Sequence, residues 1–352
     1  MDTNSRFNYL SVLNQAWQEH LKEKPEKAPK VISTFAGAGG SSLGYSLAGF
    51  KELLAVEWDD NAVETFKMNF RDIPVYHGDI VKLSVEEIFY FTKLRPGELD
   101  IFDGSPPCQG FSMAGKREIS DNRNQLFREY VRILRGLKPK CFVMENVYGM
   151  VKGKMKLIFA EAIKELKNSG YNVSARLLNA MYFSVPQSRE RLIFIGIRND
   201  LRIEPSFPKA QTRPITFKEA CYDLRGNTPD DRMLGDMLKK VAKYQPDKWR
   251  TEIDIYKRIK GNTASAMSTQ WIGWNRVCGT LTKSEISTSG LIHPDRERYI
   301  SLEEAKRICS FPDQFKFTDR SYGIQRMGNA VPPLLMKAIA EHLKEDVLMK
   351  EG

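Results

Sequence analysis

The chain has 352 residues, 41% of them apolar and 28% charged, and a formal net charge of +10. That length supports one large domain or two unequal ones. The polar start, MDTNSRFNYL, has no apolar signal segment, and no apolar run approaches the roughly 18 to 20 residues of a membrane span.

A cytoplasmic protein is therefore expected. The basic excess favours a polyanionic partner such as nucleic acid, against the plainer reading of a merely basic surface. The five cysteines (Cys108, Cys141, Cys221, Cys278, Cys309) are scattered and contain no CxxC. His20, His77, His293 and His342 are scattered too. Neither a disulfide framework nor a zinc site fits such spacing, and no metal is expected.

Along the chain, NYLSVLNQAWQEHLKEK places Leu10, Leu13, Trp17 and Leu21 at helical spacing. This predicts a helix packed on the main domain. From Val31 short apolar runs alternate with helical segments: VISTF, LLAVE, IPVYHGDI, LDIFDG and CFVMEN. Such alternation predicts an α/β fold with a doubly wound, Rossmann-like parallel sheet. NVSARLLNA and RLIFIGIR follow with only about ten residues between them, too few for a parallel crossover. The last strand is therefore predicted to run antiparallel, at the sheet's end.

FAGAGG (Phe35 to Gly40) follows the first strand and opens a helix, where glycines permit a tight turn and close ligand approach. Glu57 ends the second strand twenty residues after Gly37, a spacing suited to ribose hydroxyls. Trp58 offers a flat face for adenine, and Asp79 at the third strand's end offers an acceptor for an exocyclic amine. The turn is not GxGxxG, and no P-loop lysine is present. A ligand with ribose and adenine but no pyrophosphate fits best, which points to S-adenosylmethionine.

Cys108 in GSPPCQGFS lies just past the fourth strand, where open α/β sheets bind their ligands. Pro106 and Pro107 stiffen its mount, and a polar, turn-rich segment follows. Packing residue, metal ligand, half-disulfide and nucleophile are the four roles to weigh. Scattered Cys and His disfavour the second and third, and the strand-end position disfavours the first. Glu145 in MENV ends the fifth strand. Protonated, it would donate to a pyrimidine ring nitrogen and expose carbon 6 to a thiolate; the plainer role is a capping or salt-bridging acid. Gln187, Arg189 and Arg191 in QSRER alternate, so an extended strand puts them on one face. Two guanidiniums there suit phosphate or a base carbonyl, or merely a charged edge strand. GNAVPP (Gly328 to Pro333) reads as a turn opening a helix.

In this order, FAGAGG, VEWD, HGDI, GSPPCQGFS, MENV, QSRER and GNAVPP resemble the DNA cytosine-5 methyltransferase family, over about residues 31–200 and 280–345. The resemblance implies an S-adenosylmethionine-dependent methyltransferase domain with an inserted target-recognition domain. It implies that Cys108 is the nucleophile on carbon 6 of a flipped cytosine, and that Glu145 hydrogen-bonds the ring nitrogen and amino group. Arg191 would contact the cytosine carbonyl, with Arg189 its motif partner. The cofactor pocket would take Phe35, Ala36, Gly37, Gly39, Gly40, Glu57, Trp58, Asp79, Ile80, Ser105, Pro107, Leu126, Asn329 and Val331. Gln109 and Ser112 match loop positions that touch DNA.

The domains expected are catalytic, 1–215 with 305–352 (1–28 an N-terminal extension), and target-recognition, 216–304. Within the latter, Gln270, Asn275 and Arg276 are candidate base readers, while Trp271 and Trp274 serve equally as readers or as that domain's core. The resemblance implies duplex DNA as substrate, flipping of the base, and a bacterial or phage modification system with a cognate restriction endonuclease. A monomer is expected. Two rivals stand beside this: a transfer-RNA cytosine-5 methyltransferase, and a catalytically silent DNA-binding protein of the same fold.

Overall fold

In a computed structural model the described residues are 7–107, 122–151, 155–225, 233, 270–283, 290–295 and 297–351. They form two compact units: 22–179 with 190–210 and 335–352, and 1–21 with 180–189 and 211–334. The predicted first helix, α1 (Tyr9–Leu21), belongs to the second of these.

The first unit is built on one seven-stranded sheet. In chain order it runs β1 (Lys30–Thr34), α2 (Gly40–Leu47), β2 (Lys51–Glu57), α3 (Asp60–Asn69), β3 (Val75–His77), α4 (Val85–Thr92) and β4 (Ile101–Gly104). It continues with α5 (Asn122–Leu137), β5 (Cys141–Val147), α6 (Met155–Lys167), β6 (Tyr171–Asn179) and β7 (Glu190–Arg198). The spatial order is β3-β2-β1-β4-β5-β7-β6. β1 to β5 pair in parallel, and β7 is antiparallel to both β5 and β6.

The expected α/β sheet and antiparallel last strand are thus both present. One detail differs: β7 does not edge the sheet. The short connection from β6 lets β7 turn back and insert between β5 and β6, leaving β6 at the edge. The winding direction reverses between β1 and β4, which creates the crevice outside their carboxyl ends.

The core explains why these strands read as nearly continuous apolar runs. β5 is buried from Cys141 to Asn146, and β4 throughout. Phe102 stacks on Tyr130 of α5, with centroids 4.7 Å apart, and Phe142 meets Tyr171 edge-on. No described helix is long and apolar enough to cross a membrane.

The second unit holds α7 (Phe217–Cys221), β8 (Gln270–Trp271), β9 (Leu291–Ile292), α8 (Leu302–Ile308), α9 (Arg320–Asn329) and the start of α10 (Pro333–Asp346). Its extent exceeds 216–304 because α1 and the 305–334 segment pack with it. The Tyr9 hydroxyl, for example, donates to the Arg307 carbonyl at 3.2 Å. Two capping boxes, Thr216 with Glu219 and Ser301 with Glu304, start α7 and α8.

Candidate active site

The glycine turn after β1 owes its shape to unusual backbone angles. Phe35, Gly37 and Gly39 have φ of 56°, 56° and 91°. For Phe35 this left-handed conformation is strained, and such strain concentrates at functional sites. A Cβ at Gly39 would overlap the Phe70 ring, whereas a Cβ at Gly37 would point into open space. Gly37 is therefore required for its φ and leaves its flank clear for a ligand.

Glu57 closes the turn from the neighbouring strand. Its Oε2 accepts from Gly37 N–H at 2.8 Å, and Oε1 accepts from Trp58 and Asp59 N–H at 2.9 and 3.0 Å. A carboxylate offers about four acceptor positions. Three backbone donors fix its orientation and leave room for a hydroxyl from a bound ligand. The expected ribose contact thus has a preset acceptor.

A cavity of about 400 Å³ opens beside this carboxylate, a size that suits a nucleoside-sized ligand. Phe35, Glu57, Trp58, Asp79, Ile80, Pro107 and Leu126 line it, all of them expected from the sequence. Ala36, Gly37, Gly39, Gly40 and Ser105 shape the turns around it instead: Ala36 N–H bonds the Val56 carbonyl and Gly40 begins α2. Trp58 is 75% exposed at the rim, its face open for stacking. β3 stops at His77, two residues before the strand-end position expected for Asp79. Asp79 instead caps a short 3₁₀ turn, its Oδ1 accepting from Val81 N–H at 3.0 Å. Its other oxygen remains for a ligand donor. Val56, Gly78, Val81 and Gln125 also line the cavity. Sequence reasoning missed them, although each adjoins a motif it had singled out.

On the sheet's other half, β5 and β7 bring Glu145 and Arg191 together. Glu145 pairs with Ile193 and Val147 with Arg191, so Arg191 is Glu145's diagonal neighbour on one face. Arg191 Nε lies 2.8 Å from Glu145 Oε1, and Glu145 is only 7% exposed. The Nε–H is not aligned on that oxygen as a hydrogen bond, so the contact is an ion pair by proximity. The Arg191 Nη1 group donates to the Glu190 carbonyl at 2.8 Å.

Asn146, another residue missed from sequence, donates from Nδ2 to the Pro106 carbonyl at 3.2 Å. It ties the double-proline segment to β5. The plain signal was its place in MENV, next to Glu145. Cys108, Gln109 and Ser112 lie outside the described residues.

Gln187, Arg189 and Arg191 do not share one face. β7 begins only at Glu190, and the preceding residues belong to the other compact unit. There Arg189 is wholly buried, and its guanidinium donates to the carbonyls of Leu281, Gly328 and Ala330 at 2.9, 2.8 and 2.8 Å. Gln187 donates to Ile308 O and accepts from Leu281 N–H. Arg189 thereby braces the GNAVPP turn that carries Asn329 and Val331.

In the same unit Trp274 is half-buried and packs against Phe217, Tyr222 and His293. Asn275 and Arg276, at the adjacent turn, are exposed. That turn is pinned by Phe217 N–H on Arg276 O and Lys218 N–H on Trp274 O, both 2.8 Å. The side chains of Gln270 and Trp271 lie outside the described set.

A family model described as C-5 cytosine-specific DNA methylase matches residues 29–345. The chain belongs to that family. As a DNA cytosine-5 methylase it has curated relatives of comparable length. Type II methyltransferase M.XorII of Xanthomonas oryzae is 33% identical, covering 92% of this chain and 86% of its own. Type II methyltransferase M.FnuDI of Fusobacterium nucleatum is also 33% identical, covering 92% and 96%. Among solved structures, one described as a DNA modification methyltransferase encoded within an E. coli prophage superposes with a TM-score of 0.71. It is 26% identical, with 91% of this chain and all of that one covered. A Spodoptera frugiperda DNMT2 variant shares the fold, with a TM-score of 0.62, 19% identity and coverage of 90% and 99%.

Proposed function

We propose that this methylase transfers a methyl group from S-adenosylmethionine to carbon 5 of cytosine within a specific duplex DNA sequence, the activity of EC 2.1.1.37. The observation that carries the reading is the buried Glu145–Arg191 pair, on the same sheet as a nucleoside-sized cavity. When bound, the cofactor supplies an electrophilic methyl group on a sulfonium. Glu57 orients its ribose, Trp58 stacks on adenine and Asp79 accepts the exocyclic amine. Asn329 and Val331 in the GNAVPP motif are the further residues that the family resemblance assigns to the cofactor.

Carbon 5 is inaccessible in stacked duplex, so the cytosine is flipped out at a cost of about a few kcal/mol. Arg191 contacts the base carbonyl, and Glu145 hydrogen-bonds the ring nitrogen and amino group. The Cys108 thiolate then adds to carbon 6, which makes carbon 5 nucleophilic toward the methyl group. Loss of the carbon-5 proton to a base and departure of the thiolate restore the ring. Gln109 and Ser112 touch the DNA as the loop closes and excludes water. Asn275 and Arg276 read base edges from residues 216–304, with Gln270 beside them. The basic excess neutralises phosphates. The methylase acts as a cytoplasmic monomer in a modification system with a cognate endonuclease.

Methyl transfer from labelled S-adenosylmethionine, measured in parallel on duplex DNA and on transfer RNA, tests this. Incorporation at cytosine carbon 5 in DNA is expected; labelling of transfer RNA alone would contradict it.

A further inference from the structure

Behind the cofactor turn lies a buried polar layer that the reaction does not use. Asp103 is the third residue of β4 and only 3% exposed. Two residues later the chain reaches Ser105 and the double proline. Tyr45 of α2 is wholly buried and donates its hydroxyl to Asp103 Oδ1 at 3.1 Å. Ser41, one turn earlier on the same helix, lies near that carboxyl and favours its charged form. Ser42 donates to Glu52 Oε1 at 3.1 Å from the same turn of α2. The helix that begins at the glycine turn is therefore fastened to two buried acids, one on β2 and one on β4.

Sheet register puts Asp103 on a shared face. Asp103 is opposite Ser33 on β1 and Val143 on β5, and Glu145 lies two residues past Val143, on that same face. An acid so deeply buried is tolerated when it keeps its proton or finds donors. Burial pushes the Asp103 carboxyl well above the usual carboxylate range, and nearby Glu52 and Glu145 push it the same way. An apolar residue would fill this site without that cost, and violations of the core's apolar rule concentrate where function needs them.

We propose that Tyr45 and Asp103 form a positioning pair that sets the cofactor turn against the strand leading into the catalytic double-proline segment, coupling cofactor binding to delivery of the nucleophile. The inference rests on the methyl-transfer reading above. Tyr45 and Asp103 touch neither base nor cofactor and act through the elements they join.

Calorimetric affinity for S-adenosylmethionine and the rate of covalent capture on DNA containing 5-fluorocytosine test the pair in the full chain. Y45F, which removes one hydroxyl, is expected to weaken cofactor binding about fivefold, the loss of one net hydrogen bond, and to slow capture at saturating cofactor. D103N can accept the Tyr45 hydroxyl and donate from its amide as a protonated carboxyl does, so it should stay within about twofold of the parent, since only bond strength changes. Y45F/D103N should bind no worse than Y45F. A Y45F protein that melts earlier yet binds cofactor and captures DNA like the parent overturns the pair, because packing alone gives that result. A parent chain that neither binds S-adenosylmethionine nor captures DNA overturns the methyl-transfer reading, and this inference with it.

Discussion

Arg191 Nε sits 2.8 Å from Glu145 Oε1, across the antiparallel junction of β5 and β7. The pairing depends on β7 inserting beside β5: were β7 at the sheet edge, β6 would be Glu145's neighbour. Replacing Glu145 by Gln keeps the shape and removes the acid. E145Q should lose about 10²- to 10⁴-fold in turnover, the usual range for a general acid or base. Its affinity for S-adenosylmethionine, titrated by calorimetry, should be unchanged.

Arg189 leads to a different expectation from its motif neighbour. Its guanidinium satisfies three backbone carbonyls and is wholly buried. R189A leaves those acceptors without their donor, a loss on the order of 3 kcal/mol. Thermal denaturation should show a clear fall in melting temperature. R189K should recover only part of it, because an ammonium cannot span the fork.

QSRER illustrates how far sequence reaches here. Alternation argued correctly that this is extended chain near a strand, but it could not show that β7 starts at Glu190. Nor could it show that Gln187 and Arg189 serve another unit. Side-chain direction follows tertiary pairing, and the partners of Arg189 lie 92 to 141 residues away. The lining of the cavity was more legible, because most of its groups lie at or just past the ends of β1, β2 and β4, where topology dictates convergence. Asp103 and Glu52 were invisible as a pair: nothing in LDIFDG or FKELL signals that two acids face one buried helix.

Those acids predict a pH dependence. Burial raises the Glu52 carboxyl from 4.5 to about 7, and Ser33 and Ser42 offset this only in part. Asp103, itself raised, is a titratable neighbour of this carboxyl. A folded-state pKa above the unfolded one means that the native state holds the proton longer. Stability is then greatest below pH 4.5, as far as this group is concerned, and falls as pH rises toward about 7. The span amounts to about 3 kcal/mol. Denaturant titrations between pH 5 and 8 should show the fall, counted relative to E52Q, which lacks the titrating group and should show less of it.

Trp58 and Glu57 separate stacking from framework. Trp58 is exposed, so W58A should fold with an unchanged melting temperature yet bind S-adenosylmethionine about three- to tenfold more weakly. E57A, which strips an acceptor from three backbone N–H groups, should lose both affinity and stability. Calorimetry and thermal melts on the two variants distinguish these outcomes.

Attack of Cys108 on a flipped cytosine activated by Glu145 is the proposed step on which methyl transfer depends. Fluorine at carbon 5 blocks proton loss, so the thiolate cannot leave once methyl transfer has occurred. Duplex DNA containing 5-fluorocytosine in the recognised sequence, incubated with the chain and S-adenosylmethionine, should therefore give a denaturation-resistant covalent complex. The same reaction with C108A should give none. A covalent complex that persists in C108A, or no complex from a parent chain that methylates ordinary DNA, would contradict the account.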